Sequence, residues 1–360
     1  MSFKNAKKAE LVLGDGTTFI GDAFGFHRSV SGEVVFNTGM VGYPEALTDP
    51  SYRGQILVLT YPLIGNYGVP GNEKESGIKT HFDSDKIQVS GLVISSLSKE
   101  YSHWDSKKSL DEWMVENKIP GILGIDTRAL TKRLRERGVM LGKIIIDDHV
   151  EIEDPNKRNL VAEVSVDRKI IHNEDAGKRI LLVDCGVKNN IIRSLINRNV
   201  TVVRVPWDYN FFKEDYDGIV ISNGPGDPKM CKKTIENVAR SMEDKTPIFG
   251  ICLGNQILAL ASGGNTYKLK YGHRSQNQPC ISGDRCYITS QNHGYAVDES
   301  SLSEYWKILF RNANDNTNEG IVHKTRPFMA VQFHPEASPG PMDTNFLFDE
   351  FLKLVDKNVR

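Results

Sequence analysis

The hydrophobic positions follow one pattern up to residue 150 and another from residue 178. In the first part, short apolar runs separated by Gly, Pro, Asp and Asn are typical of β-strands joined by turns. The strands predicted there cover residues 10–13, 17–21, 32–38, 55–60 and 87–97. Apolar residues at helical spacing add one helix over 110–117 and a second from 126 to a stop at Gly138. This mixture predicts an α+β domain over residues 1–150.

The second part alternates strands with helices. Apolar density falls over residues 151–177, which predicts a linker, and the run RILLVD that follows is typical of a strand buried on both faces. The strands predicted after the linker cover 179–184, 200–205, 218–222, 247–251 and 329–332, and the helices cover 189–199, 235–242 and 256–260. Strand–helix alternation implies parallel strands with crossover connections. The sequence therefore predicts an α/β domain over residues 178–360, with a mostly parallel, helix-flanked sheet.

Composition excludes several classes of protein. A net charge of -1 over 360 residues predicts no bulk attraction to nucleic acid or to an anionic membrane. No apolar run approaches the roughly 20 residues that span a bilayer, and the N-terminal residues contain no apolar signal core. Five cysteines without a CxxC pair argue against a disulfide framework or a zinc knuckle. We therefore expect a cytoplasmic protein with no metal site and no cofactor in this chain.

The sharpest local signal is the motif Gly250-Ile251-Cys252-Leu253-Gly254, between a predicted strand and a predicted helix. A Gly-x-Cys-x-Gly turn in this context has the layout of a nucleophile elbow, in which small flanking residues allow close backbone approach. Cys252 would then lie at a helix N-terminus, whose positive end favours a thiolate. The alternative is that Cys252 is a small buried hydrophobic residue, as most lone cysteines are. The two glycines and the strand-to-helix context favour the nucleophile.

Three further stretches bear on whether Cys252 is catalytic. Residues 222–228 (SNGPGDP) follow a strand and offer backbone N–H groups to an anion, or form an ordinary turn. Residues 291–295 (QNHGY) are predicted to be a loop, and the segment by itself is typical of the protein surface. His334 and Glu336, separated by a proline at a strand end, can form a general base and its orienting carboxylate. His293 is the competing base.

These motifs resemble a known family. The Cys252 motif followed by Gln256, together with His334-Pro335-Glu336, resembles the class I (triad) glutamine amidotransferases. Further motifs over nearly the whole chain narrow the resemblance to the small, glutamine-hydrolysing subunits of carbamoyl phosphate synthetases. Those motifs lie at residues 32–38, 42–43, 47–52, 60–62, 125–128, 222–228, 276–279, 292–295 and 334–341. The five motifs between residues 32 and 128 argue against an amidotransferase that supplies a different synthetase.

The resemblance implies a role for each matching residue. Cys252 would be the nucleophile, His334 the base and Glu336 its orienting partner, with the backbone N–H groups of Gly224 and Leu253 as the oxyanion hole. It also implies glutamine contacts, at Ser51, Gly224, Gly226, Leu253, Gln256, Asn292, Gly294 and Tyr295. The partner would be a large subunit that uses ATP, magnesium and bicarbonate and receives ammonia to make carbamoyl phosphate. Whether the product serves pyrimidine or arginine synthesis stays open.

One position departs from the family pattern. Asn255 stands where the family usually has histidine, and an amide cannot act as a base near neutral pH. This change motivates an alternative, a catalytically silent subunit that docks on and regulates an ammonia-dependent synthetase. Because Cys252, His334 and Glu336 are all present, we favour an active glutaminase.

Overall fold

The computed structural model describes residues 7–358, which divide into two compact units. The first contains residues up to 75 and residues 79–157, and the second contains residues 76–78 and those from 158 onward. The outer limits of the two predicted domains, residues 1 and 360, lie outside the described residues. The predicted linker over 151–177 differs from this division, because the unit boundary falls between Lys157 and Arg158.

The strands up to residue 157 include several of only two or three residues. They are β1 (Lys8–Leu13), β2 (Thr18–Gly25), β3 (Val30–Asn37), β4 (Gln55–Leu59), β5 (Leu63–Ile64), β6 (Val69–Pro70), β7 (Lys74–Glu75), β8 (Ile78–Lys79), β9 (Gly91–Val93), β10 (Ser96–Leu97), β11 (Ser106–Lys108), β12 (Pro120–Leu123) and β13 (Met140–Ile145). The helices are α1 (Tyr43–Thr48), α2 (Leu110–Glu116) and α3 (Thr127–Arg137), with 3-10 turns at Pro50–Tyr52 and Pro155–Lys157.

Seven of these strands close into a barrel in the order β1-β13-β3-β4-β9-β12-β2. The predicted hairpin over 10–21 is the antiparallel pair of β1 and β2. Closure depends on β1 pairing with β13 as well, and β13 comes from the far end of the unit. Buried side chains such as Val35, Leu57 and Leu92 belong to one hydrophobic cluster with Met114 of α2. The local strand pattern indicated α+β structure but not a barrel.

The second unit contains ten strands and five helices among the described residues. Its strands are β14 (Ile170–His172), β15 (Lys178–Asp184), β16 (Val200–Pro206), β17 (Gly218–Ile221), β18 (Ile248–Ile251), β19 (Asn265–Ser282), β20 (Arg285–Asp298), β21 (Trp306–Asn312), β22 (Asn318–His323) and β23 (Phe328–Val331). Its helices are α4 (Leu160–Val164), α5 (Asn189–Ile196), α6 (Lys232–Glu243), α7 (Leu253–Ala261) and α8 (Leu347–Asn358), with 3-10 turns at Pro228–Met230 and Glu299–Ser301. Part of the predicted linker is thus α4 and β14.

All ten strands form one sheet in the order β14-β16-β15-β17-β18-β23-β22-β21-β19-β20. Five neighbouring strands, in the order β16-β15-β17-β18-β23, are parallel, as the alternating pattern predicts. The edge strand β14 and the extension β22-β21-β19-β20 are antiparallel, so the expectation of a mostly parallel sheet was wrong for half of the strands. The extension is built on a long hairpin of β19 and β20, whose polar sequence did not predict strands.

Helices cover both faces of the parallel strands. Side chains alternate along β15, so Ile180 and Leu182 join the core under α5 and α8, and Leu181 and Val183 join the core under α6 and α7. Complete burial of an aliphatic side chain of this size stabilises the fold by about 1.5–3 kcal/mol. The predicted helix-flanked sheet is confirmed for this part of the unit.

Candidate active site

The turn between β18 and α7 carries Cys252. Its backbone has φ 55 and ψ -102, a left-handed conformation that a residue with a side chain rarely adopts, and the residue is 2% exposed. A Cβ at Gly250 would lie 2.5 Å from the Gly254 oxygen, and one at Gly254 would lie 2.2 Å from the Ile221 oxygen. Both glycines are therefore required by close backbone approach, as the elbow motif predicts.

Three neighbouring strands end at this point of the sheet. β17 leads to residues 222–228, β18 leads to Cys252 and β23 leads to His334, and the order β17-β18-β23 places these C-terminal ends side by side. The Cys252 amide donates to the Val331 oxygen at 2.8 Å, which joins the elbow to β23. Ligand sites of open α/β sheets occur at this edge, where loops follow parallel strands.

His334 and Glu336 form a buried pair. His334 Nδ1 lies 2.7 Å from Glu336 Oε1, and the two residues are 1% and 0% exposed. Because a carboxylate only accepts, Nδ1 carries the proton, which leaves Nε2 to exchange one. Nε2 is buried and has no hydrogen-bond partner among the described residues. The pair therefore has the arrangement of a base and its orienting carboxylate.

Charges around the pair set its protonation. Burial alone disfavours a charged imidazole, but attraction to Glu336 and to the Cys252 sulfur outweighs it and raises the pKa of His334. Burial also disfavours the carboxylate, but the charges of His334 and Lys188 lower the pKa of Glu336 below its usual value. Both shifts favour the imidazolium that forms when His334 takes the Cys252 proton, with Glu336 as its carboxylate partner.

Both ring nitrogens of His293, the competing base, face residues other than Glu336. Nδ1 lies 2.8 Å from the Tyr295 oxygen and Nε2 lies 3.1 Å from Gln291 Oε1. Burial, followed by the charge of His273, lowers the pKa of His293 well below its usual value. His334 is the histidine that is paired with Glu336, so the geometry favours it as the base.

The predicted oxyanion residues lie next to the elbow. Leu253 is the first residue of α7, where amide groups have no carbonyl partner within the helix. A Cβ at Gly224 would lie 2.8 Å from Leu253 Cδ2 and 2.1 Å from the Cys185 oxygen, so Gly224 is held close to both. Gly226, with φ +83, packs against Leu160 of α4.

The predicted glutamine contacts fall in two places. Asn292, Gly294 and Tyr295 lie in β20, so the expected loop at 291–295 is a strand, held by pairing with β19. The Cys252 thiol donates to the Asn292 oxygen at 3.8 Å, and Gln256 Nε2 donates to the Tyr295 oxygen at 2.9 Å. Asn292 is therefore brought next to Cys252, and Tyr295 next to Gln256 of α7.

Ser51 lies in the first unit. It is buried in the 3-10 turn Pro50–Tyr52, where its amide donates to Asp49 Oδ1 at 2.8 Å. Asp49 caps this short turn, since its side-chain oxygen accepts from the backbone amide of Ser51. The turn was predicted from the Asp-Pro-Ser sequence.

Asn255 is completely buried on α7. Its Nδ2 donates to Gln332 Oε1 at 3.2 Å, and Gln256 Nε2 donates to the same oxygen at 3.2 Å. The Asn255 side chain therefore takes part in an amide cluster behind the elbow, and its Oδ1 has no hydrogen-bond partner among the described residues.

Lys188 is a site residue that sequence reasoning missed. It is 2% exposed, its Nζ lies 3.4 Å from Glu336 Oε1, and it donates to the Ala337 oxygen at 2.9 Å. Its own amide donates to Asn223 Oδ1 at 3.0 Å, which ties it to the segment after β17. A buried lysine needs such a partner, but its local sequence, GVKNN, is typical of a solvated helix start.

We expect Lys188→Met to change the pH dependence of the reaction at this site. The Nζ charge opposes protonation of both Glu336 and His334, so its removal raises the pKa of each. The acidic limb of the pH–rate profile should move to higher pH, and kcat should fall by roughly 10- to 100-fold because Glu336 loses a positioning contact. A profile that overlays the wild type would contradict this role. Lys233→Met, on the exposed side of α6, is the control.

No helix in the described part of the chain combines the length and the apolar character needed to cross a membrane.

Comparison with known proteins gives a consistent picture. Residues 181–354 match the family model for glutamine amidotransferase class-I, and residues 11–144 match the model for the carbamoyl-phosphate synthase small chain, CPSase domain. Multifunctional protein CAD of Squalus acanthias is 54% identical over 356 residues, which are 96% of this chain and 16% of that protein. Carbamoyl-phosphate synthase [ammonia], mitochondrial, of Homo sapiens is 50% identical over 359 residues, 98% of this chain and 24% of that protein.

The chain thus spans only 16% and 24% of the length of these two relatives. Among solved structures, a putative GMP synthase protein from Thermoplasma acidophilum is 25% identical, with a TM-score of 0.45 over 50% of this chain and 94% of that chain.

The two family models together account for both units. The chain therefore belongs to the carbamoyl-phosphate synthase small chain family, in which a CPSase domain precedes a class-I glutamine amidotransferase domain.

Proposed function

We propose that this chain hydrolyses L-glutamine to glutamate and ammonia through a thioester on Cys252, and that the ammonia passes to a carbamoyl-phosphate-forming partner. The observation that carries the proposal is the buried His334–Glu336 pair beside a cysteine at a strained strand-to-helix turn. Family membership agrees with it.

The chemistry follows from the roles of three side chains. His334 Nε2 takes the thiol proton, and the Cys252 sulfur attacks the side-chain amide carbon of glutamine. The C–N bond then breaks, and the proton held by His334 goes to the leaving nitrogen, which departs as ammonia. Water, deprotonated by the same imidazole, attacks the thioester carbon. The C–S bond then breaks, glutamate leaves, and His334 returns the proton to the Cys252 sulfur. Glu336 keeps the ring in the required tautomer throughout.

Backbone groups and neighbouring side chains would hold the substrate. The N–H groups of Gly224 and Leu253 would donate to the oxyanion of each tetrahedral intermediate. The proposed contacts to glutamine near the elbow are made by Gly224, Gly226, Leu253, Gln256, Asn292, Gly294 and Tyr295. Two hydrogen bonds support this assignment. The Cys252 thiol donates to the Asn292 oxygen, and Gln256 Nε2 donates to the Tyr295 oxygen.

The proposed partner is the large synthetase subunit. It would use ATP, magnesium and bicarbonate to make an acceptor for the ammonia, so that carbamoyl phosphate forms there and this chain needs no cofactor for glutamine hydrolysis. The names of the relatives support this assignment. We also propose the cytoplasm as the compartment. Since one relative is named as mitochondrial, cell fractionation tests this point.

A second candidate function is a silent docking subunit. Asn255 and the word ammonia in the name of the human relative favour it. The intact Cys252, His334 and Glu336 arrangement favours hydrolysis, because a subunit that only docks does not need a nucleophile on a strained turn.

The test is glutamine-dependent ammonia release by the purified chain, alone and with the synthetase portion, combined with acid quenching during turnover. We expect a slow basal rate, a faster rate with the partner, and a glutamyl adduct on the peptide that contains Cys252. No ammonia release and no adduct, even with the partner present, would overturn the proposal and leave the docking role. Release that the partner does not accelerate would overturn only the coupling.

A further inference from the structure

A second buried group of titratable side chains lies in the antiparallel extension of the sheet. His273 of β19, His293 of β20 and Glu319 of β22 each offer one ligand atom, and these atoms all lie within 4.8 Å of one another. The three residues are 7%, 4% and 0% exposed. The proposed hydrolysis uses none of them as an acid, base or nucleophile.

The hydrogen bonds of His293 leave one ring nitrogen facing oxygen atoms. The Tyr295 oxygen, at 2.8 Å, can only accept, so Nδ1 carries the proton and Nε2 of the neutral ring presents a lone pair. Nε2 nevertheless lies 3.1 Å from Gln291 Oε1 and 3.9 Å from Glu319 Oε1. Gln291 Nε2 donates to Thr289 Oγ1 at 3.1 Å, which directs its oxygen toward His293. His293 Nε2 and Gln291 Oε1 therefore face each other as two acceptors, next to Glu319 Oε1, which accepts from Asn312 Nδ2 at 3.2 Å.

Glu319 adds an unmet requirement. Its Oε1 lies 3.1 Å from His273 Nδ1, while its Oε2 is buried with no hydrogen-bond partner among the described residues. On the other side of the His273 ring, Nε2 lies 2.8 Å from Asp315 Oδ2. Even with a proton on each His273 nitrogen, the single positive charge faces two carboxylates. A buried carboxylate oxygen and an opposed imidazole nitrogen would still be unsatisfied.

We propose that this cluster is a binding site for a divalent transition-metal ion of the Zn²⁺ type, held by His273 Nδ1, His293 Nε2 and the Glu319 carboxylate. Gln291 Oε1 is within reach of the fourth position. Two neutral imidazoles with one carboxylate form a common zinc ligand set. At metal–ligand bonds of about 2.0–2.1 Å, tetrahedral ligand atoms lie roughly 3.3 Å apart. Glu319 Oε1 lies 3.1 Å from His273 Nδ1 and 3.9 Å from His293 Nε2, so the two distances fall on either side of this value.

The hydrogen-bond partners of the two proposed histidine ligands support the same assignment. Ligating histidines usually donate their other N–H group to a carboxylate or to a backbone carbonyl, which fixes the tautomer. His273 has Asp315 in this position and His293 has the Tyr295 oxygen. The charge of a divalent ion also balances Glu319 and Asp315. Because a proton competes for His273 Nδ1, metal affinity should fall as the pH is lowered.

The site lies next to the proposed glutamine contacts. Asn292, Gly294 and Tyr295 flank His293 in β20, and the Asn292 oxygen accepts from the Cys252 thiol at 3.8 Å. A metal ion on His293 would therefore fix this segment of β20 and lower the KM for glutamine. The effect on KM rests on the proposed function, whereas metal binding does not.

The experiment measures metal binding directly. The purified chain is stripped with a chelator, dialysed and titrated with Zn²⁺ and, separately, with Co²⁺. We expect one ion per chain by elemental analysis and an intense visible absorption for tetrahedral Co²⁺. His273→Gln and Glu319→Gln should weaken binding by about 100-fold or more, and Asp315→Asn, which changes only the group behind His273, by about 10- to 100-fold. His149→Gln, an exposed residue of the first unit, should bind like the wild type.

Two results would overturn the site. One is wild-type protein that takes up no Zn²⁺ or Co²⁺ at stoichiometric concentration, which would mean that protons and a rotated Gln291 amide satisfy the cluster. The other is binding that Asp315→Asn and Glu319→Gln leave unchanged, which would place the ion elsewhere. If a ligand variant fails to fold, zinc-edge X-ray absorption of the wild type decides, since two imidazoles must appear in the first coordination sphere. Failure of glutamine hydrolysis alone leaves the metal result intact.

Discussion

Replacing Cys252 with serine is expected to lower kcat for glutamine hydrolysis by about 10⁴-fold or more, the loss typical of removing a nucleophile from a catalytic triad. A hydroxyl holds its proton far more tightly than a thiol does, and His334 would have to remove that proton before attack. The oxygen also forms shorter bonds than sulfur, so the attacking atom would be set back from the substrate. The measurement is steady-state ammonia release with and without the synthetase partner.

Two measurements separate lost chemistry from lost structure. Glutamine affinity of Cys252→Ser, measured by calorimetry, should stay within a few-fold of the wild type, because the proposed contacts at Gln256 and Asn292 are retained. Cys286→Ser is the matched control, since Cys286 is exposed and lies outside the site. A serine variant that keeps more than a tenth of the wild-type rate would rule out the thioester route.

Gly254→Ala is expected to lower the free energy of unfolding by roughly 3 kcal/mol, the upper end of the usual range for overpacking. The new Cβ would lie 2.2 Å from the Ile221 oxygen and 2.8 Å from its carbonyl carbon. Ile221 pairs with Val183 on one side and with Gly250 on the other, so β17 cannot move aside without breaking strand pairing. Glutamine hydrolysis should fall as well, because α7 and the Leu253 amide would shift away from Cys252.

The measurement is urea denaturation followed by circular dichroism. Gly177→Ala is the control, because nothing lies within 4 Å of a Cβ at that position and surface changes are usually within about 0.5 kcal/mol. If the two variants had equal midpoints and slopes, the close approach of α7 to β17 would not limit residue size at position 254.

The elbow and the parallel strands could be predicted because their signals are local. The motif around Cys252 combines a buried strand, two glycines and an apolar helix within a dozen residues, and β15 is a continuous apolar run. His334 and Glu336 were found for the same reason, since two titratable residues lie two positions apart after a strand. Their distance of 2.7 Å agrees with the orientation that the sequence indicated.

The features of the fold and the site that the sequence did not predict depend on contacts between segments far apart in the chain. β19 and β20 contain Gly, Pro, Asn and Gln, which favour turns locally, and they are strands because each pairs with the other along most of its length. Barrel closure by β1 and β13 likewise joins opposite ends of the first unit. Lys188 and Glu319 look like solvated charges in sequence, and only the folded chain shows that both are buried.

The strand order has a consequence for synthesis of the protein. β18, which leads to the nucleophile, pairs directly with β23, yet the entire antiparallel extension is translated between them. A ribosome-bound chain that ends before β23 can contain the elbow, but it lacks the imidazole that takes the thiol proton. The proposed removal of the thiol proton by His334 therefore requires that β23 has paired with β18. During translation, the Cys252 thiol lacks its proposed base until the chain beyond β23 has been made.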